Sequence, residues 1–176
     1  MSRSHAGHNP PVPVHHLYLA GPDVFRPDAV EHGRAMVALC AQHGFTAVFP
    51  LADSLPERLS PQALAEHIYR TNCAHIDRCD AVVANLDFFR GPEPDSGTCF
   101  EVGYAVARGK PVVGYLPDQG SFAQRIRQRF PHAVDEGQVD LAGWQLEEFG
   151  LPLNLMLGVP CRIVVGGLAA ALQALS

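Results

Sequence analysis

The chain has 176 residues, 47% of them hydrophobic and 18% charged, with a formal net charge of −5. A chain of this length can hide roughly 70% of its unfolded surface in one core, so it needs neither disulfides nor metal staples. The acidic balance and the lack of a Lys/Arg cluster argue against a nucleic-acid partner, and no apolar run approaches the length of about 20 residues that a membrane span requires. The five cysteines form no CxxC pair, and the N-terminus has no basic start followed by an apolar run; both predict a cytoplasmic protein with free thiols.

Residues 1–14, rich in Pro and His and without periodicity, are expected to be a disordered tail, leaving residues 15–176 as one domain. The tail's histidines have no companion cluster that would complete a metal site. HLYLAG then predicts a first strand. Apolar residues at helical spacing over 27–43 predict a helix that stops at Gly44, and FTAVFP a second strand. Ser60-Pro61 is a capping serine followed by a first-turn proline, opening a helix to about Arg78. DAVVANL and KPVVGYLP read as strands buried on both faces of a parallel sheet. Between them lies the helix of PDSGTCFEVGYAVARGK. A helix over 122–129, a short apolar helix over 149–157, a strand CRIVV and a last helix over 168–175 follow. The alternation predicts an α/β domain with a doubly wound, five-stranded parallel sheet.

In such a sheet the ligand sits beyond the carboxyl ends of the strands, where the winding reverses. The residues expected there are Gly21 to Asp23, Leu51 to Ser54, Asp87 to Gly97 and Pro117 to Gly120. None of these segments is a GxGxxG or GxxxxGK[ST] loop, which argues against dinucleotide or triphosphate binding. LDFFRGPEPDSGT is long for a strand-to-helix connection, as functional loops often are, and it leads to Glu101.

Glu101 has two readings. Thr98 and Glu101 have the spacing of a capping box, in which both side chains satisfy backbone donors at the helix start. Alternatively, a carboxylate in the first helical turn is held ionised by the helix end, worth about 0.3–1 kcal/mol, and can act as a nucleophile.

YLAGPDVF, NLDFFRGPEPDSGTCFEVGYAVARGKPV and LPLNLML together resemble the nucleoside 2-deoxyribosyltransferases over residues 17–157. The resemblance implies a flavodoxin-like sheet, no metal or cofactor, and small-molecule nucleosides and nucleobases as ligands. It also implies a homo-oligomer, a dimer-based tetramer or hexamer, whose sites a neighbouring subunit completes. Glu101 matches the family's nucleophile and Tyr18 the tyrosine that orients it. Asp95 matches the acid that holds the sugar's 5′-hydroxyl, where its charge would repel a 5′-phosphate. Asn154, with Met156 beside it, matches an asparagine lent across the interface. Gly21, Phe25, Asp53 and Gly97 fall in loops that line the pocket. Asn72 departs from the family pattern: some members carry an aspartate there to protonate the departing base. With an amide in its place, another acid such as Asp53, a water or an already protonated base must serve, and the departure favours purine transfer.

Bland readings accompany each of these residues: a core aromatic for Tyr18, a turn residue for Asp95, a helix cap for Asn154. Three rival functions stay open, namely a nucleoside or nucleotide hydrolase on the same scaffold, a non-catalytic nucleoside-binding module, and a thiol enzyme using Cys99 at the helix start.

Overall fold

A computed structural model describes residues 14–51, 59–133, 140 and 142–176. The expected tail at 1–13 and Asp53 lie outside the described residues. Val14, assigned above to the tail, instead packs against the core.

Among the described residues the chain order is β1 (His16–Ala20), α1 (Ala29–Gln42), β2 (Thr46–Val48), α2 (Pro61–Arg78), β3 (Ala81–Asn85), α3 (Ser96–Ala107), β4 (Val112–Leu116), α4 (Phe122–Arg129), α5 (Leu155–Gly158), β5 (Arg162–Val165) and α6 (Leu168–Leu175). A single turn of 3-10 helix, Pro22–Phe25, follows β1. All five strands are parallel, in the order β2-β1-β3-β4-β5. This is the flavodoxin-like order predicted above, with its reversal between β1 and β3.

The period of two along each strand sends side chains to opposite faces. On β1, Leu17 and Leu19 join Met36, Cys40, Leu168 and Leu172 under α1 and α6. Tyr18 and Ala20 join Ile76, Val82, Val102 and Leu157 on the other face. Burying each large aliphatic side chain stabilises the fold by about 1.5–3 kcal/mol. This alternation also puts Tyr18 on the face covered by α2 and α3, a placement that matters for the site.

Two local expectations change. The N-cap of α3 is Asp95, whose Oδ2 accepts from the Thr98 backbone N–H and the Thr98 hydroxyl, both at 2.9 Å. Thr98 is therefore inside the helix, and no Thr98–Glu101 capping box forms. Glu101 is the sixth residue of the helix and stands in its second turn, so the end of the helix does less for its charge than the first-turn placement implied. The apolar stretch 149–157 is helical only from Leu155, because Pro152 disfavours helical backbone at the residue before it and Asn154 is the cap that starts α5.

Candidate active site

Three strand ends converge on one cavity at the carboxyl edge of the sheet. It encloses about 310 Å³ and is lined by Gly21, Val24 and Phe25 after β1, Pro50 and Leu51 after β2, Ile68 and Asn72 from α2, and Asp95, Gly97, Thr98 and Glu101 from α3. That volume lies at the lower end of the range typical of small-ligand sites.

Glu101 lies at its floor. Oε1 accepts a hydrogen bond of 2.6 Å from the Tyr18 hydroxyl and one of 3.2 Å from Asn72 Nδ2. Tyr18 is fully buried. Burial pushes the Glu101 carboxyl from its usual 4.5 up to about 7; the charge of Asp95 adds to the rise, and the bonds from Tyr18 and Asn72 oppose it. The environment thus works against ionisation more than the sequence implied, and the two donors offset part of that cost. Burial, and after it the Glu101 charge, pushes the Tyr18 phenol well above its usual 10, which keeps it a donor. Asn72 Oδ1 is buried without a partner among the described residues.

The glycines at the rim are there for close approach. A Cβ on Gly21 would meet Asp23 Oδ2 at 2.8 Å and Asn85 Cβ at 2.9 Å. Asp23 ties this turn down, accepting from Asn85 Nδ2 at 2.9 Å and pairing with His32 Nε2 at 2.9 Å. A Cβ on Gly97 would meet Asp95 Oδ2 at 3.1 Å.

The sequence-predicted residues are thus divided. Tyr18, Gly21, Phe25, Asn72, Asp95, Gly97 and Glu101 come together around the cavity. Asn154 and Met156 do not line it: Asn154 Oδ1 caps α5 through Met156 N at 3.0 Å, and the Met156 side chain is exposed. Cys99 is half-buried and absent from the lining, and burial pushes its thiol up to about 11, the reverse of an activated thiolate. Leu51 was expected at a strand end and does line the cavity, whereas Pro50 and Ile68 carry no chemical signal in the sequence. A wider groove of about 680 Å³ opens near Asp118, Ser121 and Cys161. Its two carboxylates already accept hydrogen bonds, Asp118 from Arg125 and Glu148 from the Ser121 hydroxyl, so size alone is a poor guide to the chemistry here. Among the described residues no cluster of His, Cys, Asp or Glu could hold a metal, and no helix is long and apolar enough to cross a membrane.

Residues 17–156 match the family model described as nucleoside 2-deoxyribosyltransferase. A solved 2-deoxyribosyltransferase from Leishmania mexicana is 30% identical with a TM-score of 0.70, the alignment covering 92% of this chain and 97% of that one. A conserved protein from Enterococcus faecalis, 21% identical with a TM-score of 0.60 over 92% of this chain and 97% of that one, shares the fold. An uncharacterized protein of Schizosaccharomyces pombe is 35% identical over 114 residues, which is 63% of this chain and 54% of that protein; the chain thus spans about half the length of this curated relative.

Proposed function

The chain belongs to the nucleoside 2-deoxyribosyltransferase family, and we propose that it moves 2-deoxyribose from one nucleobase to another through a covalent ester on Glu101. The observation that carries this reading is the Tyr18–Glu101–Asn72 contact at the floor of a nucleoside-sized cavity. A carboxylate held by two donors on one oxygen keeps its other oxygen for a reacting carbon.

In the first step the ionised Glu101 attacks C1′, the C1′–N bond breaks, and the departing base takes the bonding pair and a proton. In the second, a ring nitrogen of the incoming base attacks C1′ from the face the first base left. The ester C1′–O bond breaks, Glu101 returns as a carboxylate, and the incoming base gives up its N–H proton. Two inversions leave the configuration at C1′ unchanged, and the proton taken up in one step is released in the other. Tyr18 acts throughout by favouring the charged carboxylate. Asp95 Oδ2 is committed to the cap of α3, whereas Oδ1 has no hydrogen-bond partner among the described residues and is available to a 5′-hydroxyl.

Asn154 and Met156 would act on a second copy of the chain. In support, α5 and α3 present an exposed apolar face with Met156, Val159 and Val106 around a depression of about 380 Å³, a surface of the kind that subunits bury.

Incubating deoxyinosine with adenine tests the reading. Deoxyadenosine should accumulate with the wild-type protein and not with Glu101→Ala. Release of hypoxanthine and free deoxyribose without deoxyadenosine would make the protein a hydrolase instead.

A further inference from the structure

Resting on that reading, we propose that Arg90, packed on the Phe25 ring that lines the cavity, recognises the O6/N7 edge of a 6-oxopurine and makes hypoxanthine and guanine nucleosides better substrates than adenine nucleosides. Four features of the loop between β3 and α3 support this.

First, Arg90 adopts φ 58°, the only positive φ outside glycine among the described residues. A side chain in this region costs about 1–2 kcal/mol. The loop holds the conformation in part through Phe89 N, which donates to Glu93 O at 2.8 Å.

Second, the guanidinium is fixed against two aromatic rings. Its Cζ lies 4.6 Å from the centroid of Phe89 and 5.0 Å from that of Phe25. The two rings are themselves stacked at 5.4 Å and 16°. Packing of this kind orients the planar group without using its N–H donors.

Third, those donors are uncommitted. Among the described residues Arg90 has no hydrogen-bond or ion-pair partner, whereas the nearby Arg26, Arg125 and Arg129 are each paired with aspartates.

Fourth, the position suits the base. Phe25 lines the cavity and is 54% exposed. In the proposed complex C1′ sits at Glu101 and the base lies along the Phe25 ring, which the Arg90 guanidinium overlies at 5.0 Å. The acids Glu101 and Asp95 both line the cavity at the sugar end, where they disfavour a phosphate. The partner is then a neutral edge with two adjacent acceptors. A 6-oxopurine offers O6 and N7 to an arginine fork, whereas adenine sets an N6–H donor against one prong, and the corresponding C4–C5 edge of a pyrimidine carries at most one acceptor.

The test compares kcat/KM for deoxyinosine and deoxyadenosine with a common acceptor base. Alongside it, equilibrium binding of both nucleosides is measured on Glu101→Ala protein, wild type or altered at position 90. Arg90→Gly suits a positive φ, so the loop keeps its shape; Arg90→Lys keeps the charge without the fork. The wild type should favour deoxyinosine by roughly five- to tenfold or more, Arg90→Gly should bring that ratio close to one, and Arg90→Lys should fall between. Three outcomes overturn the assignment: a wild type with no preference for deoxyinosine, a ratio unchanged by Arg90→Gly, or an effect of Arg90→Gly confined to deoxyinosine 5′-monophosphate, tested in parallel. Absence of all base exchange with an intact binding ratio would instead count against the transferase reading alone.

Discussion

The hydroxyl of Tyr18, buried in the first strand, donates at 2.6 Å to the Glu101 carboxylate on the second turn of α3, 83 residues later in the chain. The contact favours the charged form of a group that burial pushes up to about 7. If Glu101 reacts as the anion, kcat/KM is full at alkaline pH and falls as the pH drops through about 7. Tyr18→Phe removes one opposing influence, so the inflection should move to higher pH while kcat falls roughly ten- to a hundredfold, the worth of a hydrogen bond to a charged group. Asn72→Ala should shift the inflection the same way by less, because its bond to Glu101 is longer. A pH–rate profile unmoved in both variants would show that these donors do not tune the reacting group.

The same raised pKa predicts a pH-dependent stability. Between about 4.5 and 7 the folded protein retains a proton on Glu101 that the unfolded chain has released. Stability is therefore lost as the pH rises through this window. Glu101→Gln carries no such penalty. Its melting temperature should exceed that of the wild type by more at pH 8 than at pH 4.5, as differential scanning calorimetry would show. An equal offset at both pH values contradicts a carboxyl disfavoured by burial.

Much of this architecture can be read from the chain because buried parallel strands announce themselves: AVVAN and VVGYL are near-continuous apolar runs and become β3 and β4. The start of α3 was misread for a physical reason. Asp95 and Thr98 are both good caps three residues apart, and only the tertiary structure shows which one turns back on the backbone. The contact between Asn72 and Glu101 spans 29 residues and depends on how α2 packs on α3, which no local pattern encodes. Arg125 was equally hidden. FAQRIRQR looks like a solvated face, yet Arg125 is fully buried, because Asp118, Asp87, the Pro152 carbonyl and the Phe88 ring surround its guanidinium.

That burial has a measurable consequence. Arg125 Nε donates to Asp118 Oδ1 at 2.5 Å and Nη1 to Pro152 O at 2.7 Å, joining the end of β4 to the segment that leads to Asn154. Arg125→Ala strands these acceptors and should cost about 3 kcal/mol in urea unfolding, the low end for a broken buried pair because the aspartates are partly exposed. Arg125→Met, which refills the space of the side-chain stem, should lose less. Equal losses would mean that packing of the stem contributes nothing beyond what the charge and hydrogen-bond partners supply.

The most direct measurement is the mass of the trapped intermediate. A deoxynucleoside analogue fluorinated at C2′ slows breakdown of a glycosyl ester, so the protein can be digested and its peptides weighed. One added fluorosugar on the peptide carrying Glu101, absent from Glu101→Gln, is the predicted result. A sugar attached to another residue, or none while the analogue is still turned over, contradicts a glutamyl ester at this position.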